Sequence, residues 1–242
     1  MKMLDLEHAR GSLGRGLARQ ALAEAEAGCA DAAGIVHSLH DLAPNPRNRP
    51  RHARRLMRRR GVLRASATRG GVAVVFRYTL NVTVLKDGTD CYREPRIAWT
   101  SVRASAGKHS ISFVTWQVHA GLHALQRHVE RSGGALHNLL PQMDGAMTEA
   151  LDWLDREDPL RDGDDEYLPL RSGVWAGGLD MLASDPAWGP AFAGDDRPLP
   201  VFSVRTFLGE EEMRPMVWLG WSEATAATRG ATLPLRTAPS AA

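Results

Sequence analysis

Residues 110–132, SISFVTWQVHAGLHALQRHVERS, constrain the fold more than any other stretch, because a strand pattern there runs straight into a helix pattern. Ile111, Phe113, Thr115 and Gln117 alternate with Ser112, Val114, Trp116 and Val118. Aromatic and β-branched residues at a period of two favour a strand. Further on, Val118, Leu122, Leu125 and Val129 fall within about 60° of one another on a helical wheel. Such a stripe predicts a helix lying on a sheet. His123, Arg127 and Arg131 occupy the opposite side of that wheel, with Ala120 and Ala124 leaving room for a close neighbour. Ser132-Gly133-Gly134 supplies residues that accept a positive φ and end the helix.

The sheet is predicted from three segments. Residues 72–86, VAVVFRYTLNVTVLK, carry the strongest strand pattern in the chain. Asp87-Gly88 suits a hairpin turn, and 92–102 returns as the second strand, with Pro95 marking an edge or a bulge. Residues 110–118 make the third. The Ala, Glu and Leu-rich stretch 13–42 predicts helix, broken near Gly28 and Gly34 and stopped at Pro44-Asn45-Pro46. Residues 135–157 predict another helix, with Leu136, Leu139, Leu140, Met143, Met147, Leu151 and Leu154 on its apolar face. The acidic run 152–166 reads as an exposed loop, and the spacing of Asp162, Asp164 and Asp165 matches no calcium loop. Strands are expected at 173–183, 199–207 and 216–221, with a Pro/Gly-rich loop at 186–196 and a turn of helix at 210–213. The expected fold class is α+β: an antiparallel sheet with N-terminal helices and two central helices packed on it. The expected division is a helical, arginine-rich region at 1–64, a core domain at 65–229 and a flexible tail at 230–242.

At 242 residues the chain makes one large domain or two small ones. Hydrophobic residues at 43% and charged residues at 24% exclude a chain disordered throughout. No apolar run approaches the roughly 20 residues that span a bilayer, so no membrane partner is expected. MKMLDLEHARGSLGRG has no apolar core of a secretory signal, and two cysteines make no disulfide framework. The expected address is cytoplasmic.

The net charge of +2 hides an uneven distribution. Residues 47–64, RNRPRHARRLMRRRGVLR, are rich in arginine and contain neither lysine nor acid. A helix over 52–60 carries Arg54, Arg55, Arg58, Arg59 and Arg60, with Arg51 just before it and Leu56 and Met57 as a small apolar patch. Guanidinium suits bidentate contact with phosphate, so these six arginines are the candidate nucleic-acid-binding residues. A solvated basic surface is the plain alternative.

No Walker-type loop, G-x-G-x-x-G, H-E-x-x-H or G-x-S-x-G is present. His119 and His123 stand four apart, but no third ligand is fixed and Ala120 occupies the place of the zincin glutamate, so no metal or cofactor is expected. His123 with Arg127 and Arg131 makes a better set. A histidine exchanges protons near neutral pH, and two arginines hold a phosphate and the charge that develops on it. That set suits RNA cleavage without a metal, where the 2′-hydroxyl attacks the adjacent phosphate.

His123-Ala124 followed by Arg127-x-x-x-Arg131 resembles the RelE-like and barnase-like ribonuclease toxins, some of which begin a helix with His-Ala and continue Arg-x-x-x-Arg. The resemblance covers this helix and its strand alone. It implies an endoribonuclease, RNA as the nucleic acid bound, an acidic protein partner, and a further site residue from a later strand; of Ser203, Arg205 and Thr206 in PVFSVRTF, Thr206 at the strand end is the favoured one. Two readings from other classes stand beside it: a non-catalytic nucleic-acid-binding or regulatory protein, and a phage-associated interaction domain. The sequence leaves open whether the chain is an enzyme.

Overall fold

Alternating Val74, Phe76 and Tyr78 in one strand face Val102, Thr100 and Ala98 in the next, and this long hairpin is the frame of the molecule. The computed structural model describes residues 2–42, 45–86, 90–107, 110–132, 138–183, 188 and 198–230. Helices α1 (Lys2–Ala27), α2 (Ala32–His40) and α3 (Arg49–Met57) come first. Strands β1 (Val62–Ala67), β2 (Gly71–Lys86), β3 (Asp90–Ala106) and β4 (Ile111–Gly121) follow. Then come α4 (Leu122–Arg131), α5 (Leu139–Leu154), β5 (Leu160–Asp162), β6 (Asp165–Leu170), β7 (Gly173–Leu182), β8 (Leu199–Leu208) and α6 (Pro215–Gly230). The strands form one sheet in the order β1-β2-β3-β4-β8-β7-β6-β5.

β2 and β3 pair antiparallel from Gly71↔Ser105 to Lys86↔Asp90, as the alternation predicts. The turn at Asp87-Gly88 lies outside the described residues. The expectation of an antiparallel sheet needs correction: β4 and β8 run parallel, from Gln117↔Val201 to Ala120↔Val204, so the sheet is mixed. The chain leaves β4 through α4 and α5, builds β5, β6 and β7, and returns beside β4 in the same direction. A parallel neighbour requires such a long crossover.

One face of the sheet carries α1, α4 and α5 over Val75, Trp99, Val118, Trp175, Phe202 and Phe207. α2 and α3 cover the other face at the β1–β3 end, with Leu39, Leu56 and Trp188 packed on Phe76 and Val102. α6 covers that second face at the far end, through Val217 and Trp221 against Tyr167 and Val174. Both central helices thus pack on the sheet. Asp144 of α5 ties the layers: its carboxylate pairs with Arg77 of β2 and accepts from the Trp99 indole of β3 at 2.9 Å.

The strand β4 continues through Val118 to Gly121, so Val118, His119 and Ala120 are strand residues and not part of the helix. Residues 216–221 are helix, not strand. Val217 and Trp221 stand four apart on one face of α6 and are buried, while Met216, Trp218 and Leu219 face out. The acidic run is not a loop: it closes α5 and then forms the β5–β6 hairpin, where Asp162 and Asp165 pair with Arg214. Of the two expected helix breaks, the one at Gly28 falls between α1 and α2, whereas Gly34 lies within α2 and does not interrupt it; the expected helical turn falls at Glu210–Glu212. Gly61 follows α3 at φ 71°, and a Cβ there would stand 2.6 Å from the Ala30 nitrogen, so only glycine lets α3 turn into β1. Gly133, Gly134, Leu136, most of 186–196 and the tail beyond 230 lie outside the described residues. The expected boundary between 64 and 65 falls inside β1.

Candidate functional site

α3 begins at Arg49-Pro50, with proline in its first turn, where the missing N–H costs nothing. Its inner side is Ala53 and Leu56, both buried, together with His52. The His52 ring sits between Ser38 Oγ, 3.2 Å from Nε2, and an Arg55 nitrogen, 3.3 Å from Nδ1. Burial, and after it the Arg55 charge, lowers the pKa of His52 and keeps the ring neutral. A neutral Nδ1 can accept from Arg55, which braces that guanidinium. Outward from this base, Arg51, Arg54, Arg55 and Arg58 line a concavity of about 560 Å³ with His52 and Asn48. Among the described residues its lining contains no carboxylate. Arg60 is exposed beyond it, and Arg59 is half-buried beside Gly34. The apolar patch divides: Leu56 is fully buried, whereas Met57 is exposed.

The α4 residues do not converge. His123 is exposed and lines a cavity of about 300 Å³ where β4 and β8 run side by side. Arg127 pairs with Glu130 at 2.8 Å and opens onto a different groove, shared with Arg10, Arg15 and Arg19 of α1. α1 approaches closely there, since a Cβ on Gly14 would meet the Gln126 carbonyl oxygen at 3.4 Å. Arg131 turns to β8: it donates to the Phe207 carbonyl at 2.7 Å and to Thr206 Oγ1 at 3.4 Å, and pairs with Glu212 at 2.9 Å. Arg131 and Thr206 therefore meet, as a clamp holding the helix end to the strand end. His123 shares no cavity with Arg127 or Arg131. All three stand four apart within α4 and share a face of it, but Glu130 draws Arg127 away, Glu212 and β8 hold Arg131, and His123 turns to the β4–β8 cavity.

His128, on the buried side of α4, stacks on Trp175 with ring centres 5.1 Å apart and meets the edge of Phe207 at 4.7 Å. Burial lowers its pKa to about 4.

The polar residues that sequence reasoning missed lie on the second face of β4. Thr115, Gln117 and His119 all point there and all are buried. Gln117 Oε1 lies 3.2 Å from His119 Nε2, and the Gln117 amide donates to the Tyr78 hydroxyl at 3.2 Å. Burial, and then the Arg96 charge, lowers the pKa of His119 to about 4. The available signal was the alternation itself: three polar residues at a period of two inside an otherwise apolar strand. Among the described residues no group of three or more His, Cys, Asp or Glu side chains could hold a metal ion. Among them, too, no helix is long and apolar enough to cross a membrane.

No family model, curated protein or solved structure matches this chain.

Proposed function

We propose that the protein binds the phosphate backbone of nucleic acid, RNA by preference, through the arginine face of α3. One observation carries this reading: Arg51, Arg54, Arg55 and Arg58 line a single concavity with no carboxylate among the described residues of its lining. Four guanidinium groups held together repel one another, and a polyanion relieves that repulsion while releasing its counterions. Arg59 and Arg60 extend the positive field at the helix end. Contacts of this kind position a backbone and read no base, so binding is indifferent to sequence.

Cleavage by His123 with Arg127 and Arg131 is not part of this reading. Those arginines are committed to Glu130 and Glu212, and His123 lines another cavity.

A filter-binding titration of labelled single-stranded RNA tests the proposal. With four phosphates engaged, log affinity falls against log salt with a slope near about −3. Arg54→Glu with Arg58→Glu lowers affinity alike for all RNA sequences and flattens the slope. Duplex DNA as competitor tests the preference for RNA. No detectable binding even at low salt leaves α3 a solvated surface, and displacement of RNA by an acidic protein identifies a competing partner for the same face.

A further inference from the structure

The cavity at the β4–β8 junction has the parts of a different chemistry, independent of the arginine face. Its floor is His119, 3% exposed. Gln117 Oε1 accepts the proton of His119 Nε2, so the lone pair of the ring lies on Nδ1. That Nδ1 is buried and has no hydrogen-bond partner. A buried acceptor left unpaired costs free energy and calls for an explanation. On the adjacent strand, the residue in register with His119 is Ser203. Partners on neighbouring strands point to the same face, and Ser203 lines the same cavity, half-buried. The neighbour of Ser203 on its other side is Gly178, which has no side chain to crowd the hydroxyl.

The first turn of α4 faces the same space. Gly121 caps that helix with no side-chain hydrogen bond, and His123 and Ala124 line the cavity. The free N–H groups of a first turn suit a developing oxyanion. The Glu94 carboxylate stands near Gly121, but Arg96 holds it at 2.8 Å and neutralises it. The rest of the wall combines Val82, Leu182 and Val204 with the charged Asp180 and Arg205, and leaves room for a short acyl chain.

We propose that this cavity is the active site of a serine esterase, with Ser203 as nucleophile, His119 as general base and Gln117 as the residue that positions the ring. The order is hydroxyl, imidazole, amide, phenol: Ser203, His119, Gln117, Tyr78. A nucleophile, a base and a group orienting the base are the minimum of this mechanism, and an amide serves as the third member in cysteine enzymes. His119 Nδ1 has no hydrogen-bond partner in the free protein, so the proposed mechanism requires the Ser203 hydroxyl to turn onto it when substrate binds. The Ser203 oxygen then bonds to the ester carbonyl carbon as its proton passes to His119 Nδ1. The tetrahedral oxyanion faces the α4 amides. Its collapse breaks the bond to the alcohol oxygen, which leaves with the proton from His119. Water repeats the sequence on the acyl-serine and releases the acid. Ser203 stands in register with His119 and lines the same cavity, which makes its hydroxyl the neighbouring proton donor for the ring.

The test uses the full chain with a fluorophosphonate probe and p-nitrophenyl acetate and butyrate. The expected result is one adduct, located on Ser203 by peptide mass spectrometry, with ester hydrolysis that the probe abolishes. Ser203→Ala removes both and leaves the melting temperature and RNA binding unchanged. His119→Asn slows labelling at least about 100-fold. Gln117 is tested by pH profile. The groups facing the ring are Tyr78, Glu94, Arg96, His123, Asp180 and Arg205, and Gln117→Glu adds one carboxylate at Nε2. That carboxylate favours the imidazolium and moves the acid limb of kcat/KM upward from near pH 4, which a merely structural Gln117 would not do. Wild-type protein that gives no Ser203 adduct overturns the proposal, as does labelling at an unchanged rate in a folded His119→Asn variant. Loss of RNA binding in the α3 variants with Ser203 labelling intact separates this site from the arginine face.

Discussion

His128 and His119 occupy positions where an imidazole stays neutral because burial penalises its charged form. His128 lies between Trp175 and Phe207, and His119 lies under the β4–β8 junction. Both have pKa values near about 4 in the fold against 6.5 for a free histidine. Between those values the unfolded chain takes up protons that the folded chain refuses. Stability is therefore full above pH 6.5, falls as pH drops from 6.5 towards 4, and stops falling on this account below 4. Each histidine contributes on the order of 3 kcal/mol to the change. His128→Phe keeps the aromatic packing and removes one titration. Urea denaturation at pH 7.5 and 4.5 should show a smaller loss of stability in that variant than in the wild type. An equal loss in both would place the acid sensitivity elsewhere. Arg131 teaches the complementary lesson. Its charge suggested a phosphate clamp, but a carbonyl, a hydroxyl and Glu212 already occupy it.

Among the elements, α5 is held most specifically, because its Asp144 meets both Arg77 and Trp99 on the sheet. The two charged side chains are 10% and 18% exposed, so removing one leaves the other buried and unpaired. Asp144→Ala should cost about 3 kcal/mol or more, while Asp152→Ala, whose bridge to Arg64 lies in solvent, should cost under about 1 kcal/mol. Chemical denaturation of the two variants checks the ratio. The same elements show where sequence reading works. The β2–β3 hairpin was legible because Val, Phe and Tyr at a period of two have one sensible reading. The end of β4 was not, because QVHAGLHAL satisfies strand and helix alike, and only pairing with β3 and β8 extends the strand through Ala120. MVWLGW was misread for the same reason: Val217 and Trp221 reach a core through α6 that a strand would also have reached. The arginine face could be read because its residues are neighbours in sequence. His119 and Ser203 could not be joined, because only the parallel crossover brings them into register.

At the scale of the whole molecule, the N-terminal helices are built into the hydrophobic layers on both faces of the sheet. Ala18, Ala21 and Ala25 of α1 are buried with Trp99, Leu125, Met143 and Phe202, which belong to β3, α4, α5 and β8. α2 and α3 close the second face of β2 and β3 through Ile35, Leu39 and Leu56. β1 is the edge strand paired to β2, and a cut at residue 64 divides it. A fragment of 65–229 would therefore expose Val75 and Trp99 on one face and Phe76 and Val102 on the other. A large apolar surface newly opened to water costs roughly 25 cal/mol per Å², more than a marginally stable domain can lose. The expected outcome is a fragment that fails to fold: soluble only in denaturant, or compact without near-ultraviolet circular dichroism and binding a hydrophobic dye. The full chain should instead unfold in one transition, with tryptophan fluorescence and far-ultraviolet circular dichroism superimposed, since Trp99 and Trp175 sit in the same cluster. A 65–229 fragment with a native near-ultraviolet spectrum and its own cooperative melt would show that the sheet stands without α1, α2 and α3, and that the arginine face belongs to a separable unit.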